Sequence, residues 1–254
     1  MSGLLDLKGK TAVVTGGSRG VGKATALLLA RAGASVGIGY HSREAEALET
    51  LEALESLGVH AWAHPGDLGD SAQALGLFQR ADEEFDGLDI FVGNAGIWPP
   101  QDIPIAEMGD AHWHRTIQAN LDSIFFTTRE AARRLRDHGR IVLVGSTAGQ
   151  RGEAFHVDYA ASKGALISMV KGLCVELGPR GITVNCVAPG WIDTEMARPA
   201  FGALGKDAIA ATIPIGRVPP PEDIAGPIVF LCSHLARHIT GEILNVNGGA
   251  VLVG

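Results

Sequence analysis

Short apolar runs alternate along the chain with longer segments of helical periodicity. Most of the runs are rich in β-branched residues, and they predict strands at residues 10–15, 35–40, 60–64, 88–92, 140–144, 182–187 and 242–246. The longer segments predict helices at residues 20–32, 43–57, 71–85, 111–136, 158–177 and 221–233. We predict Ser71 as the N-cap of the third helix.

The alternation of strands and helices predicts right-handed βαβ units, because parallel strands need a crossover connection. We therefore predict an α/β fold, a single Rossmann-type doubly wound domain with a parallel sheet of about seven strands and helices on both faces. No change in composition divides the chain, so we expect one domain over residues 1–254.

One irregular segment, residues 191–220, is rich in glycine, alanine and proline and follows a predicted strand. Open α/β sheets bind ligands beyond the carboxyl ends of their strands, so we interpret this segment as a substrate lid. An ordinary surface connection is the alternative, although about thirty residues is long for one.

Composition excludes several other classes of protein. Hydrophobic residues make up 46% of the chain and the formal net charge is -7, which excludes disorder. The 34 glycines follow no three-residue period, which excludes collagen. Asp and Glu outnumber Lys and Arg by 28 to 21, so we expect no nucleic-acid partner. No uncharged apolar stretch reaches the ~18 residues that span a membrane.

The cysteines and the N-terminus bear on the compartment. Cys174, Cys186 and Cys232 cannot all pair, none forms a Cys-x-x-Cys spacing, and each has apolar neighbours. We expect reduced thiols in a cytoplasmic protein. The first ten residues show no signal peptide.

A glycine-rich turn, residues 15–22, joins the first predicted strand to the first helix. Its glycines would let the backbone approach a pyrophosphate, and the helix N-terminus adds N–H groups and the positive end of a dipole. We predict a nucleotide site formed by Gly16, Ser18, Arg19, Gly20, Val21 and Gly22. Glycines that only pack the helix on the strand are the alternative.

The end of the second predicted strand bears on the choice of cofactor. In dinucleotide folds an acid about 20 residues after the glycines binds the ribose 2′-hydroxyl and selects NAD. Here the strand ends in Tyr40-His41-Ser42-Arg43, without an acid at its tip. Arg19, Ser42 and Arg43 are suited to hold a 2′-phosphate instead, so NADP(H) is preferred and NAD(H) is the alternative. The alternative role for Arg43 is a solvated residue at a helix start.

Two further strand ends fall at the same edge of the predicted sheet. Asp67 and Leu68 follow the third strand, and Asn94, Ala95 and Gly96 follow the fourth. An aspartate there could accept a hydrogen bond from an adenine amine. The alternative is a turn former, because Asp67 follows a Pro-Gly pair.

Four polar residues predict the chemistry. Tyr159 and Lys163 are four apart on one predicted helix and share a face. Ser146 ends the preceding strand, and Asn120 lies inside the predicted helix 111–136. Each is common by itself, but together, behind a glycine-rich turn, they predict a catalytic site. Ordinary packing of the Tyr-Lys pair, and an Asn120 that only bonds helix backbone, are the alternatives.

These motifs resemble those of the short-chain dehydrogenase/reductase family, over nearly the whole chain. The resemblance implies a catalytic tetrad of Asn120, Ser146, Tyr159 and Lys163, with Tyr159 and Lys163 also touching the cofactor. It implies a segment that holds the nicotinamide at Pro189, Gly190, Ile192 and Thr194. The chain departs from the family's Asn-Asn-Ala-Gly motif at Gly93, which we expect to affect sheet support.

Within this family the chain looks nearest to 3-oxoacyl-acyl-carrier-protein reductases, on Arg19 and the ending Asn247-Gly248-Gly249. Many carbonyl and sugar reductases share these features. The resemblance implies a homotetramer and makes acyl-carrier protein a candidate partner. Arginines at 129, 133, 134 and 136 could dock such a partner or form a solvated helix face.

The expected chemistry follows from the side chains. Reduction of a ketone builds an alkoxide that needs a proton, which we assign to Tyr159. Lys163 and an oxidised nicotinamide both favour a tyrosinate, so we expect a lowered pKa for Tyr159. Ser146 would hydrogen-bond the substrate carbonyl. By the resemblance, Asn120 holds a water that links Lys163 to solvent.

The predicted function is NADP(H)-dependent reduction of a ketone, with a 3-oxoacyl thioester as a candidate, to a secondary alcohol. An NAD-dependent dehydrogenase of a sugar, polyol or cyclic alcohol is one alternative. A non-catalytic cofactor-sensing protein is another, although a sensor need not keep Tyr159 or Lys163.

Four residues are candidates for the wall of the substrate pocket or for simple packing: Trp98, Phe155, His156 and Trp191. We expect no metal site, since His112 and His114 point apart on a helix.

Overall fold

Seven parallel strands form one sheet in the computed structural model. The strands are β1 (Thr11–Thr15), β2 (Ser35–Tyr40), β3 (Ala61–Pro65), β4 (Leu88–Gly93), β5 (Leu135–Val144), β6 (Thr183–Pro189) and β7 (Ile243–Val246). Their order is β3-β2-β1-β4-β5-β6-β7. The predicted Rossmann-type sheet of about seven strands is confirmed.

The structure describes residues 5–253, except the side chain of residue 204. Gly254 and the first four residues of the segment in which we expect no signal peptide lie outside it. Within the described range, no helix is long and apolar enough to cross a membrane. The same residues contain no group of three or more His, Cys, Asp or Glu that could hold a metal ion.

Helices cover both faces of the sheet. They are α1 (Gly20–Arg31), α2 (Glu44–Glu55), α3 (Ser71–Glu84), α4 (Asp110–Ile117), α5 (Ser123–Arg134), α6 (Thr147–Arg151), α7 (Val157–Leu177), α8 (Arg198–Leu204), α9 (Lys206–Ala211) and α10 (Pro221–Cys232). One buried apolar cluster, which includes Leu29 and Ile228, joins α1, α2 and α10 to the sheet. A second, which includes Phe78 and Leu166, joins α3, α5 and α7 to the opposite face.

The side on which the chain adds new strands to the sheet changes after β3. The chain builds β2 and β3 on one side of β1, then returns to pair β4 with the other side, with Val13 opposite Phe91. Loops that leave β1 and β4 therefore diverge and open a crevice at the carboxyl ends of the strands. The glycine-rich turn and Asn94 lie at this crevice.

The helix predicted over residues 111–136 is confirmed for most of its length, but it is not one regular α-helix and it ends at Arg134. A π-helical turn at Gln118–Asp122 separates α4 from α5, and the chain enters β5 at Leu135. A π turn inserts one extra residue per turn without removing apolar residues, so the periodicity of the sequence does not reveal it. The turn carries Asn120, which is fully buried.

The structure also differs from the sequence prediction at the start of α3 and after β5. The N-cap of α3 is Asp70 rather than Ser71, because Asp70 Oδ1 accepts hydrogen bonds from the backbone N–H groups of Ala72 and Gln73 at 2.8 and 3.0 Å. Helix α6 was not predicted, since five residues are too few to show a period. Ser146 caps it by accepting from Ala148 N at 3.1 Å.

The segment 191–220 folds around a small core of its own. Helices α8 and α9 lie within it, and Ile209, Ile213 and Val218 are buried together. Trp191 and Phe201 pack against them. The segment is thus ordered structure beside the cleft, and its role as a lid stays a prediction.

Candidate active site

A cleft of about 1070 Å³ runs along the carboxyl ends of the strands. Most residues predicted for the cofactor line it: Gly16, Ser18, Arg19, Gly20, Val21, Ser42, Arg43, Asp67, Leu68, Asn94, Ala95, Gly96, Tyr159, Lys163, Pro189, Gly190, Ile192 and Thr194. Ser146 lines it as well. Gly22 and Asn120, also predicted, are buried behind this wall.

The glycine-rich turn has the shape that a pyrophosphate requires. Gly16 and Gly20 have φ angles of 66° and 54°, which favour glycine. A Cβ at Gly22 would lie 2.1 Å from the carbonyl oxygen of Gly16, so α1 can begin directly behind the turn. The first turn of α1 contains no acidic residue. An anion at this end of the cleft would meet N–H groups, and the residues present fit a dinucleotide phosphate.

Arg19 pairs with an acidic side chain at the edge of the cleft, and Arg43, which donates to Glu46 at 3.0 Å, lies beside that side chain. Glu195 Oε2 accepts a hydrogen bond from Arg19 Nη1 at 2.6 Å and lies 4.0 Å from Arg43 Nη2. The Arg19 guanidinium holds the pKa of Glu195 below its ordinary value, so the carboxylate is charged at neutral pH. Sequence reasoning missed Glu195, and its only signal was its place directly after Thr194.

The ends of β1 and β4 are joined by side chains. Asn94 Nδ2 donates to the carbonyl oxygens of Thr15 and Gly16 at 2.9 and 3.3 Å. Thr15 Oγ1 accepts from the backbone N–H groups of Asn94 and Ala95. A Cβ at Gly93 would lie 2.8 Å from Leu143, so this departure from the family motif fits close packing on β5.

Asp67 has the structural role that the sequence left open. Its Oδ1 accepts from Gly69 N at 3.0 Å, which makes it a turn former. It also lines the cleft, so a contact with adenine stays a prediction.

Ser146, Tyr159 and Lys163 come together on one wall of the cleft. Burial raises the pKa of the Tyr159 phenol, and the nearby hydroxyl of Ser146 offsets this rise only in part. Burial lowers the pKa of Lys163 to about 8. Lys163 Nζ donates to the carbonyl oxygen of Val144 at 2.8 Å and lies 6.0 Å from the centre of the Tyr159 ring.

The expected lowering of the pKa of Tyr159 is therefore not found in the chain by itself. The ammonium group of Lys163 points to a backbone carbonyl, and the phenol of Tyr159 is partly enclosed where it lines the cleft. Desolvation disfavours the charged form of both groups, which moves their pKa values in opposite directions.

Asn120 bonds to backbone, although not to that of its own helix. Its Oδ1 accepts from Ile97 N at 2.7 Å, and its Nδ2 donates to Ile97 O at 2.9 Å and to Ser162 Oγ at 3.2 Å. A Cβ at Gly96 would lie 2.9 Å from Asn120 Oδ1 and 3.5 Å from Lys163 Nζ. The amide thus fixes the loop after β4 close to Lys163.

Aromatic side chains also line the cleft that contains Tyr159. Trp98 and Trp191 meet edge to face at 5.8 Å between ring centres, and Trp98 lies 5.0 Å from the His156 ring. His156 is buried and pairs with Asp102 at 3.0 Å. Phe155, half-exposed with φ of 64°, also lines the cleft. These four predicted wall residues lie at the site, and Asp102 is a partner that sequence reasoning missed.

The basic run, three arginines on α5 and Arg136 in β5, is largely neutralised by acidic neighbours. Glu130 contacts Arg129, Arg133 and Arg134 at 3.3, 2.7 and 2.8 Å. Arg136 pairs with Asp86 and Asp89.

Of the two histidines considered for a metal site, His112 lies 3.2 Å from the buried carboxylate of Asp158.

A dinucleotide-sized cleft on a parallel sheet, with a Ser-Tyr-Lys group on its wall, defines a Rossmann-type oxidoreductase. A family model described as Enoyl-(Acyl carrier protein) reductase matches residues 16–251. The chain belongs to the short-chain dehydrogenase/reductase family, close to the FabG reductases, and is an NAD(P)-dependent oxidoreductase.

Individual relatives cover nearly the whole chain. The 3-oxoacyl-[acyl-carrier-protein] reductase FabG of Escherichia coli is 38% identical over 98% of this chain and 100% of its own length. L-rhamnose 1-dehydrogenase (NAD(P)(+)) of Azotobacter vinelandii is 38% identical over 94% of this chain and 96% of its own. The crystal structure of a short chain dehydrogenase from Burkholderia cenocepacia in complex with NADP is 40% identical, with a TM-score of 0.91 over 96% of this chain and 98% of its own.

Proposed function

We propose that the protein reduces a ketone of a small molecule to a secondary alcohol with NADPH, and that Tyr159 gives the proton. One observation carries the proposal. A tyrosine, a serine and a buried lysine meet on one wall of a cleft, and two arginines lie at its far edge.

The raised pKa of Tyr159 suits reduction, because the phenol keeps its proton at neutral pH until a stronger base forms beside it. A bound NADPH supplies the hydride. As negative charge develops on the carbonyl oxygen, Tyr159 donates its proton there. Ser146 accepts from Ala148 N, so its own O–H is left to donate to the same oxygen.

Lys163 and Asn120 hold this arrangement in place. The contact from Lys163 to Val144 O sets its ammonium beneath the Tyr159 ring. Asn120 fixes the backbone at Ile97 and, with it, the wall beside Lys163. We infer that Lys163 also bonds the nicotinamide ribose, and that Asn120 holds a water in a proton path to solvent.

NADP(H) is the preferred cofactor, with NAD(H) as the alternative. Arg19 and Arg43 supply two guanidinium groups at the edge of the cleft, beside Ser42. A 2′-phosphate is an acceptor that such a pair binds well. The relative that was crystallised with NADP agrees with this preference.

A 3-oxoacyl thioester is the first candidate substrate, with acyl-carrier protein as the candidate partner, supported by the likeness to FabG. Oxidation of a sugar is the second, supported by the likeness to a rhamnose dehydrogenase. Oxidation of NADPH or NADH over acetoacetyl thioesters and diketones, set against reduction of NADP+ or NAD+ over sugars, would discriminate between them. A sensor without activity is disfavoured, because Ser146, Tyr159 and Lys163 are all present.

We also propose a homotetramer in the cytoplasm. Phe125 and Val175, on α5 and α7, expose apolar side chains, and Leu252 does so near the C-terminus. All three cysteines are free, and Cys186 and Cys232 are buried, as suits a reducing compartment.

The proton donor is tested by Tyr159→Phe, which removes only the hydroxyl. We expect turnover to fall by at least about a hundredfold, in the range of lost acid catalysis, with cofactor affinity within about twofold of wild type. Steady-state rates and calorimetric titration with NADPH measure the two effects. Retained turnover would remove Tyr159 from its assigned role.

A further inference from the structure

The two arginines proposed for the 2′-phosphate already have anionic partners in the chain, Glu195 for Arg19 and Glu46, at 3.0 Å, for Arg43. Glu195 Oε2 lies 2.6 Å from Arg19 Nη1 and 4.0 Å from Arg43 Nη2. A carboxylate and a phosphate use the same N–H donors of a guanidinium group. Both anions cannot occupy one pair of arginines without repelling each other.

Glu195 also lies at the start of the segment 191–220. It follows Thr194, whose Cγ2 would lie 3.5 Å from a Cβ at Gly20 in the glycine-rich turn. The ion pair with Arg19 therefore connects the first residues of the predicted lid to the turn that is expected to bind the pyrophosphate. About two fifths of the Glu195 side chain is exposed, so the carboxylate can rotate away into solvent.

We propose that Glu195 is a selectivity residue that competes with the 2′-phosphate of NADP(H) for Arg19 and Arg43. NADP(H) displaces the carboxylate and separates the start of the lid from the glycine-rich turn. NAD(H) carries a hydroxyl at this position and leaves the ion pair intact. Glu195 thereby narrows the preference for NADP(H) that the arginines alone would give. This inference rests on the proposed 2′-phosphate site.

The test is Glu195→Gln, which keeps the size of the side chain and removes its charge. Calorimetric titrations with NADPH, NADH, 2′,5′-ADP and 5′-ADP report binding without turnover. We expect the Kd of NADPH and of 2′,5′-ADP to fall about threefold to fivefold, the upper range for an exposed ion pair. The Kd of NADH and of 5′-ADP should change by less than about twofold.

Asp193→Asn is the matched control. It removes the same charge two residues earlier, where the carboxylate pairs with Lys206 at 2.5 Å. We expect it to leave the ratio of the NADPH and NADH affinities unchanged. An equal gain for all four ligands in Glu195→Gln, or no gain for any, would overturn the inference, and so would the same shift of this ratio in Asp193→Asn.

Arg19→Gln separates this inference from the proposed function. If it weakens 2′,5′-ADP but not 5′-ADP, the phosphate site stands, and Glu195→Gln alone decides the competition. If Arg19→Gln weakens the binding of neither nucleotide, the proposed phosphate site is wrong, and so is the proposed competition. In Arg19→Gln/Glu195→Gln, the second change should bring less gain than it does in wild type, because one of the contested donors is gone.

Discussion

At the scale of single residues, the spacing of Tyr159 and Lys163 was enough to place both on one face of a helix. The residues that complete the site could not be predicted in the same way. Glu195 and Asp102 contact Arg19 and His156 across 176 and 54 positions of the chain. Such pairs follow from the way loops pack at the sheet edge, which no local period encodes. The lowered pKa that we expect for Tyr159 is not found in the chain by itself, because burial is likewise a property of the whole fold.

The depressed pKa of Lys163 gives a pH-dependent stability. From about pH 8 to its ordinary value of 10.5, the folded chain releases this proton while the unfolded chain keeps it, so the stability contributed by Lys163 rises with pH. Against Lys163→Met, which lacks the group, the free energy of unfolding of wild type should gain about 2 kcal/mol between pH 7.5 and 9.5. Urea unfolding of both ligand-free proteins at the two pH values measures it. A constant difference would contradict the assigned pKa.

At the scale of elements, all seven strands and most helices follow from the pattern of apolar residues. The failures share a cause, since each depends on a local backbone choice that leaves the pattern unchanged. The π turn at Gln118–Asp122 keeps the apolar positions of a helix while it turns Asn120 towards the loop after β4. Helix α6 is held by a cap on Ser146 rather than by periodicity.

The corrected cap of α3 can be tested with neighbouring substitutions. Asp70→Ala removes the acceptor for two N–H groups and should lower the free energy of unfolding by about 1 kcal/mol. Ser71→Ala should change it by less than about 0.5 kcal/mol, as expected for a surface position without such a contact. Chemical unfolding with matched m-values measures both. A larger loss in Ser71→Ala than in Asp70→Ala would restore the cap predicted from the sequence.

At the scale of the whole molecule, the order of the strands explains why separate motifs form one cleft. The change of side after β3 brings the glycine-rich turn and Asn94 together, and β5 adds Ser146 at the same edge. The alternation of elements predicted this edge. The shape of the segment 191–220 was beyond prediction, because its small core is built from short helices that show no clear period.

Assembly is the prediction that belongs to this scale. Light scattering should give about four times the chain mass of 26.5 kDa. Val175→Glu places a charge where an apolar side chain is 76% exposed, and it should shift the mass towards smaller species if α7 lies in an interface. The exposed Lys171→Glu, on the same helix, controls for the added negative charge. A monomeric mass for wild type at working concentration would refute the tetramer.

The edge-to-face pair of Trp98 and Trp191 has an optical consequence. Both indoles line the cleft, whereas Trp62 is buried in the core against Phe85. A reduced nicotinamide absorbs where indoles emit, so excitation of this pair can pass to it as energy transfer. An outward movement of the segment that carries Trp191 would increase the distance between this indole and the nicotinamide and so reduce the transfer. The protein thus carries a built-in donor whose emission should report both the arrival of a reduced cofactor and any movement of the segment 191–220.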